Sequence, residues 1–151
     1  MAVIEVGINI GSRNLLEVKY YSDSDNVLNP KYRAKFLAGL ENYVSEVYGD
    51  KMNVISFPNF QIVCYYKMLK LALMDLDNAE PLLAYAIIEK GTDPVFVKKN
   101  LKQIISEFLD HFPINEILCE DIEIFKEFEH QIENILGDLR FKLNDRINTI
   151  F

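Results

Sequence analysis

Residues 82–112, LLAYAIIEKGTDPVFVKKNLKQIISEFLDHF, run from an unbroken apolar segment through one glycine into a segment with a different period. The apolar part reads as a buried strand, PLLAYAIIE, with Pro81 admissible only at its start because proline donates no ladder hydrogen bond. Thr92 or Asp93 can cap a following helix, and Pro94 suits its first position. Phe96, Val97, Leu101, Ile104, Ile105, Phe108, Leu109 and Phe112 then recur at spacings of three and four, which predicts an amphipathic helix ended by Pro113. Strand, glycine, helix is also how chains hold phosphate. A phosphate cradle needs several glycines so that successive N–H groups can close on the ligand. Here there is only Gly91, Asp93 repels an anion, and Lys98 and Lys99 begin a turn further on. The segment reads as a corner in a fold.

Upstream, VIEVGINI (3–10) alternates, with Ile4, Val6, Ile8 and Ile10 on one face and Val3, Glu5, Gly7 and Asn9 on the other. Gly11, Ser12, Arg13 and Asn14 form a turn, and LLEVKYY alternates again with Leu16, Val18 and Tyr20 facing in, so a hairpin is expected. An acidic loop, SDSDNVLN, leads to a helix with Asn29 as cap, Pro30 at its first position and Gly49 as its stop. Its stripe runs through Phe36, Leu40, Tyr43, Val44 and Val47. KMNVISF and FQIVCYYKML follow as two strands separated at Pro58 and Asn59. The second is apolar on both faces and so belongs inside the sheet. Residues 70–80 read as a strand end and an acidic loop.

From Phe125 onward, apolar residues fall at Phe128, Ile132, Leu136, Leu139, Leu143, Ile147 and Ile150, a repeat close to the period of an undistorted helix. The expectation is a C-terminal amphipathic helix over 119–151, weakened at Gly137 and Asn144, that packs along the domain or pairs with a partner. Phe125, Phe128, Ile132 and Leu136 are its candidate partner-binding residues.

The chain has 151 residues, 50% of them apolar, enough to build one core. Its 16 basic and 23 acidic residues give a net charge of -7, which argues against non-specific binding to nucleic acid or anionic membrane. No signal peptide or membrane-spanning run is recognisable, and Cys64 and Cys119 are too few for a disulfide framework, so a cytoplasmic location is expected. His111 and His130 have no second ligand at metal spacing. No serine sits in a nucleophile elbow, and the acidic runs lack calcium-loop spacing. Glu5 and Glu17 could face each other across the hairpin as an acid–base pair, though a solvated face suits them better. No catalytic residue, cofactor or metal is assigned, and an enzyme is not expected.

The hairpin AVIEVGINI…LLEVKYY, the helix KYRAKFLAGLENYVSEVYGD, the hairpin NVISFPNFQIVCYYKML and the opening stretch together give an element order that resembles the longin fold, within the longin, roadblock and profilin-like group. The chain is similar in flavour to archaeal longin and roadblock proteins related to eukaryotic vesicle-trafficking machinery. It departs from profilins in having no tryptophan, and from roadblock proteins in having no helix before its first strand. The resemblance implies an α+β fold: a five-stranded antiparallel sheet in the order β-β-α-β-β-β-α-α, flanked by helices. Residues 1–118 would form the longin-like domain, with the 119–151 helix packed on it and the second strand and 51–57 at the sheet edges. It also implies a non-catalytic adaptor or scaffold that binds a small GTPase, a regulator or a longin/roadblock subunit, often as a homodimer. The alternative is a PAS-like small-ligand sensor, which the uniformly apolar strands disfavour.

Overall fold

The computed structural model describes residues 3–11, 13–20, 54–56, 60–70, 79–118 and 121–140. The expected helix after Pro30 and the loop before it lie outside these residues. β1 (Val3–Ile10) and β2 (Arg13–Lys19) form an antiparallel hairpin. Ile10 pairs with Arg13, so the connection is two residues long, tighter than the expected four-residue turn. Gly11 enters it with φ 55°, a left-handed conformation that glycine adopts without a Cβ clash.

β5 (Ala79–Glu89) pairs antiparallel with both β1 and β4 (Phe60–Lys70), and the three-residue β3 (Val54–Ser56) adds to the far side of β4. The sheet order is β2-β1-β5-β4-β3, with the two longest strands side by side within it. Pro81 is the third residue of β5 rather than the first, opposite Met68. Its carbonyl accepts from the Gly11 N–H at 3.0 Å.

The first face of the sheet carries Val6, Ile8, Ile10, Leu16, Val18, Val63, Leu82, Ala84, Ala86 and Ile88, all buried. α1 (Pro94–His111) lies on it across β4 and β5. Ala84 and Ala86 are the small residues on β5 that let a helix axis come close to the strand. Val97, Leu101, Ile104, Ile105 and Phe108 meet that face, joined by Asn100, whose helical position is in phase with them. Phe96 is 51% exposed and leaves the expected stripe.

The second face departs from its expected polar character. Glu5, Asn9, Phe60, Ile62, Cys64, Leu83, Tyr85 and Ile87 are all buried there. A bulge between Val3 and Glu5 in the β1–β5 pairing shifts the alternation, so Val3 is fully buried and Ile4 only half-buried.

Beyond α1 the chain is not one long helix. α2 (Ile114–Ile117) opens after Pro113, a 3-10 turn follows at Glu123–Phe128, and α3 (Glu129–Leu136) ends at Gly137. Gly137 has φ 54° and ψ -126°, which no helix accommodates, and a further 3-10 turn takes Gly137–Arg140. The apolar spacing survives this division because a 3-10 turn stacks residues three apart, so Phe125 and Phe128 stay on one side. The rest of the expected 119–151 helix, from 141 onward, lies outside the described residues.

Candidate interaction surfaces

The four candidate partner-binding residues sit inside the domain. Phe125 and Ile132 are fully buried, Phe128 is 1% exposed and Leu136 3%. Phe108 from α1 holds the centre of an aromatic cluster, with ring centroids 4.9 Å from Phe112, 5.5 Å from Phe125 and 5.2 Å from Phe128. Tilted and edge-on contacts at these distances are favourable beyond the buried area alone. In the structure the stripe packs against α1, because a chain that turns back at Pro113 brings its own second apolar face over the first. Arg13 helps fix this return: Nη2 donates to the Ile117 carbonyl at 2.5 Å, tying the start of β2 to the end of α2.

His111 and His130 lie at the surface. His111 Nε2 is 3.1 Å from Glu127 Oε1, and His130 Nδ1 is 3.7 Å from Glu133 Oε2. Glu107, Asp110, His111, Phe128 and Gln131 line a shallow cleft of about 230 Å³ beside the first of these pairs. No group of three His, Cys, Asp or Glu side chains suited to a metal ion occurs among the described residues.

Glu5 and Glu17 do not face each other. Glu5 pairs with Lys19 and Glu17 with Gly7, and while Glu17 is exposed, Glu5 is only 5% exposed. Instead, Tyr85 crosses Gly7 and its hydroxyl donates to Glu5 Oε2 at 3.1 Å. Next to them Asn14 Nδ2 donates to Asn9 Oδ1 at 2.6 Å. Buried polar groups persist in native structures when they are hydrogen-bonded, and this set meets that condition. A glycine inside a strand pattern is the sequence signal that could have located it, since it marks a close approach.

Cys64 lies opposite Tyr85, and burial pushes its thiol up to about 12. The thiolate is the reactive form, so Cys64 is chemically inert while the chain is folded. In a Cys119→Ser background, labelling by a disulfide reagent at mild alkaline pH should proceed only as fast as the protein opens. Labelling in seconds without denaturant would contradict this placement. Cys64 adds stability below the ordinary thiol range, and that stability is lost as pH rises from about 9 toward about 12.

Among the described residues, what stays exposed is the periphery, and β2 and β3 are the outermost strands of the sheet. β2 exposes Glu17 and Lys19, whose 3.2 Å ion pair lies on a charged edge of the kind that discourages indiscriminate strand pairing. On β3, Val54 is 39% exposed, and Gln61 Nε2 donates to Ser56 Oγ at 3.0 Å across the β3–β4 pair. The first turn of α1 presents Val95, 76% exposed, beside Phe96. Asp93 caps this helix, accepting from the Val95 N–H at 3.0 Å, so its carboxylate occupies the place an anionic ligand would need.

Among the described residues, no helix is long and apolar enough to cross a membrane. The chain matches no protein-family model and no curated protein.

Proposed function

We propose that the chain is a non-catalytic, cytoplasmic adaptor or scaffold of longin type, which binds a small GTPase or a trafficking-complex subunit. The observation that carries this reading is the strand order β2-β1-β5-β4-β3, antiparallel throughout, with a helix laid across β4 and β5. It leaves the second strand and the short strand before β4 at the edges, where the longin resemblance expects partners to dock. An exposed edge offers unpaired N–H and C=O groups to an added strand, and flanking side chains supply selectivity. The experiment is calorimetric titration of the purified chain with a panel of small GTPases, each loaded with GDP or a non-hydrolysable GTP analogue. Binding at about micromolar Kd, near -8 kcal/mol, with a preference for one nucleotide state supports the proposal. No binding across the panel contradicts it.

One observation favours a second reading, the PAS-like sensor. The strands are not uniformly apolar inside, since Glu5, Asn9 and the Tyr85 hydroxyl lie together in the buried second face. Native mass spectrometry separates the two: a retained small molecule lost on Tyr85→Phe supports the sensor, and a bare polypeptide mass supports the adaptor.

A further inference from the structure

The charges of this acidic chain are segregated along α1 and the segment after it. From 90 to 106 there are four lysines (Lys90, Lys98, Lys99 and Lys102) against Asp93 alone, whereas 107–133 holds nine acidic residues and one lysine. Among the described residues, none of the four lysines takes part in an ion pair. Each end also carries exposed apolar side chains: Val95 (76%) and Phe96 (51%) at the basic end, Ile114 (41%) and Ile122 (40%) at the acidic end.

We infer that the basic outer face of α1 docks on the acidic α2 and 3-10 end of a second copy of this chain, head to tail. The two patches complement each other in charge, and both place apolar side chains among their charges. The end of α1 at His111, beside Glu127, lies nine residues beyond Lys102, roughly 14 Å along the helix, and no ion pair joins the two patches among the described residues of one molecule. The contact is heterologous, so each added copy leaves one patch of each kind open and the assembly grows with concentration. Copies of net charge -7 repel one another at a distance. At about 0.1 M salt the screening length is about 10 Å, which damps that repulsion but spares contacting side chains, and at about 1 M it falls to about 3 Å. The inference does not depend on the adaptor reading.

Sedimentation velocity of the full chain tests it, over a concentration series at about 0.1 M and about 1 M salt. The expected result is a weight-average mass that rises with concentration at the lower salt. The triple variants K98E/K99E/K102E and E116K/E123K/E127K, each with the circular dichroism of the parent, should each associate about tenfold more weakly or worse. Their equimolar mixture should regain association, because each then meets a complementary patch on the other. A parent chain that stays monomeric, association that survives either reversal, or a mixture that stays monomeric overturns the inference. So does a monomer that co-sediments with phosphatidylserine vesicles through Lys98, Lys99 and Lys102, which would make the basic face a membrane surface.

Discussion

Gly7→Val should destabilise the chain by about 3–4 kcal/mol, a large share of the stability of a domain this size. A Cβ at position 7 would lie 2.3 Å from Cε1 and Cζ of Tyr85 and 2.4 Å from its hydroxyl oxygen. No carbon approaches that closely, so the ring must move. Overpacking of this kind costs about 1–3 kcal/mol. Moving the ring also withdraws the phenol donor from the buried Glu5 side chain, and losing one partner of a buried hydrogen bond costs about 1–3 kcal/mol. The φ of Gly7 is not in the left-handed region, so the effect is one of space rather than backbone conformation. Urea unfolding of Gly7→Val, Tyr85→Ala and the double variant checks this. The two changes should be strongly non-additive, because removing the ring removes the clash. A Gly7→Val variant within about 0.5 kcal/mol of the parent would place Tyr85 elsewhere.

Phe108→Ala is the second large effect, expected at about 4 kcal/mol. The ring is fully buried on α1 and touches Phe112, Phe125 and Phe128, so its removal forfeits the transfer of a phenyl group and opens a cavity between the two helical layers. Phe96→Ala, on the same helix but half exposed, is the control and should change stability by less than about 1 kcal/mol. Equal losses at the two positions in thermal or urea unfolding would mean that α1 presents a different face to the sheet.

The strand-to-helix corner at 82–112 could be read from sequence because several local signals agree there. An apolar run, a positive-φ glycine at 91, a capping aspartate, a proline at the first helical position and a stripe at helical spacing all point the same way. The β1–β2 hairpin and the interior position of β4 were legible for similar reasons, from alternation and from apolar residues on both faces.

Three features were hidden. The buried second face was masked by Glu5, Gly7 and Asn9, which look like a solvated side until Tyr85, distant in sequence, is known to lie over the glycine. The division of the C-terminal segment depends on 3-10 winding and on the conformation of Gly137, and apolar spacing alone does not distinguish 3-10 from α at three-residue steps. The role of Phe125, Phe128, Ile132 and Leu136 was ambiguous in principle. A clean apolar stripe looks the same whether it faces a partner or its own domain, and in the chain by itself the return at Pro113 lays it against α1. Asn100 and Arg13 were legible only in part. The first lies in phase with the buried stripe of α1, but the contact from Arg13 to the Ile117 carbonyl joins residues too far apart in sequence to be anticipated.

The apolar stripes of α1 and α3 pack within the domain, so among the described residues the surfaces left for the proposed partner are the sheet edges, the outer face of α1 and the α2 end. Amide hydrogen exchange, with and without a GTPase that binds in the calorimetric panel, tests this most directly. The account predicts that binding slows exchange along β2 or β3, or at the start of α1, while amides of 125–136 stay equally protected in both states. Accelerated exchange across 125–136 on binding would contradict it, because the stripe would then have left the core to meet the partner.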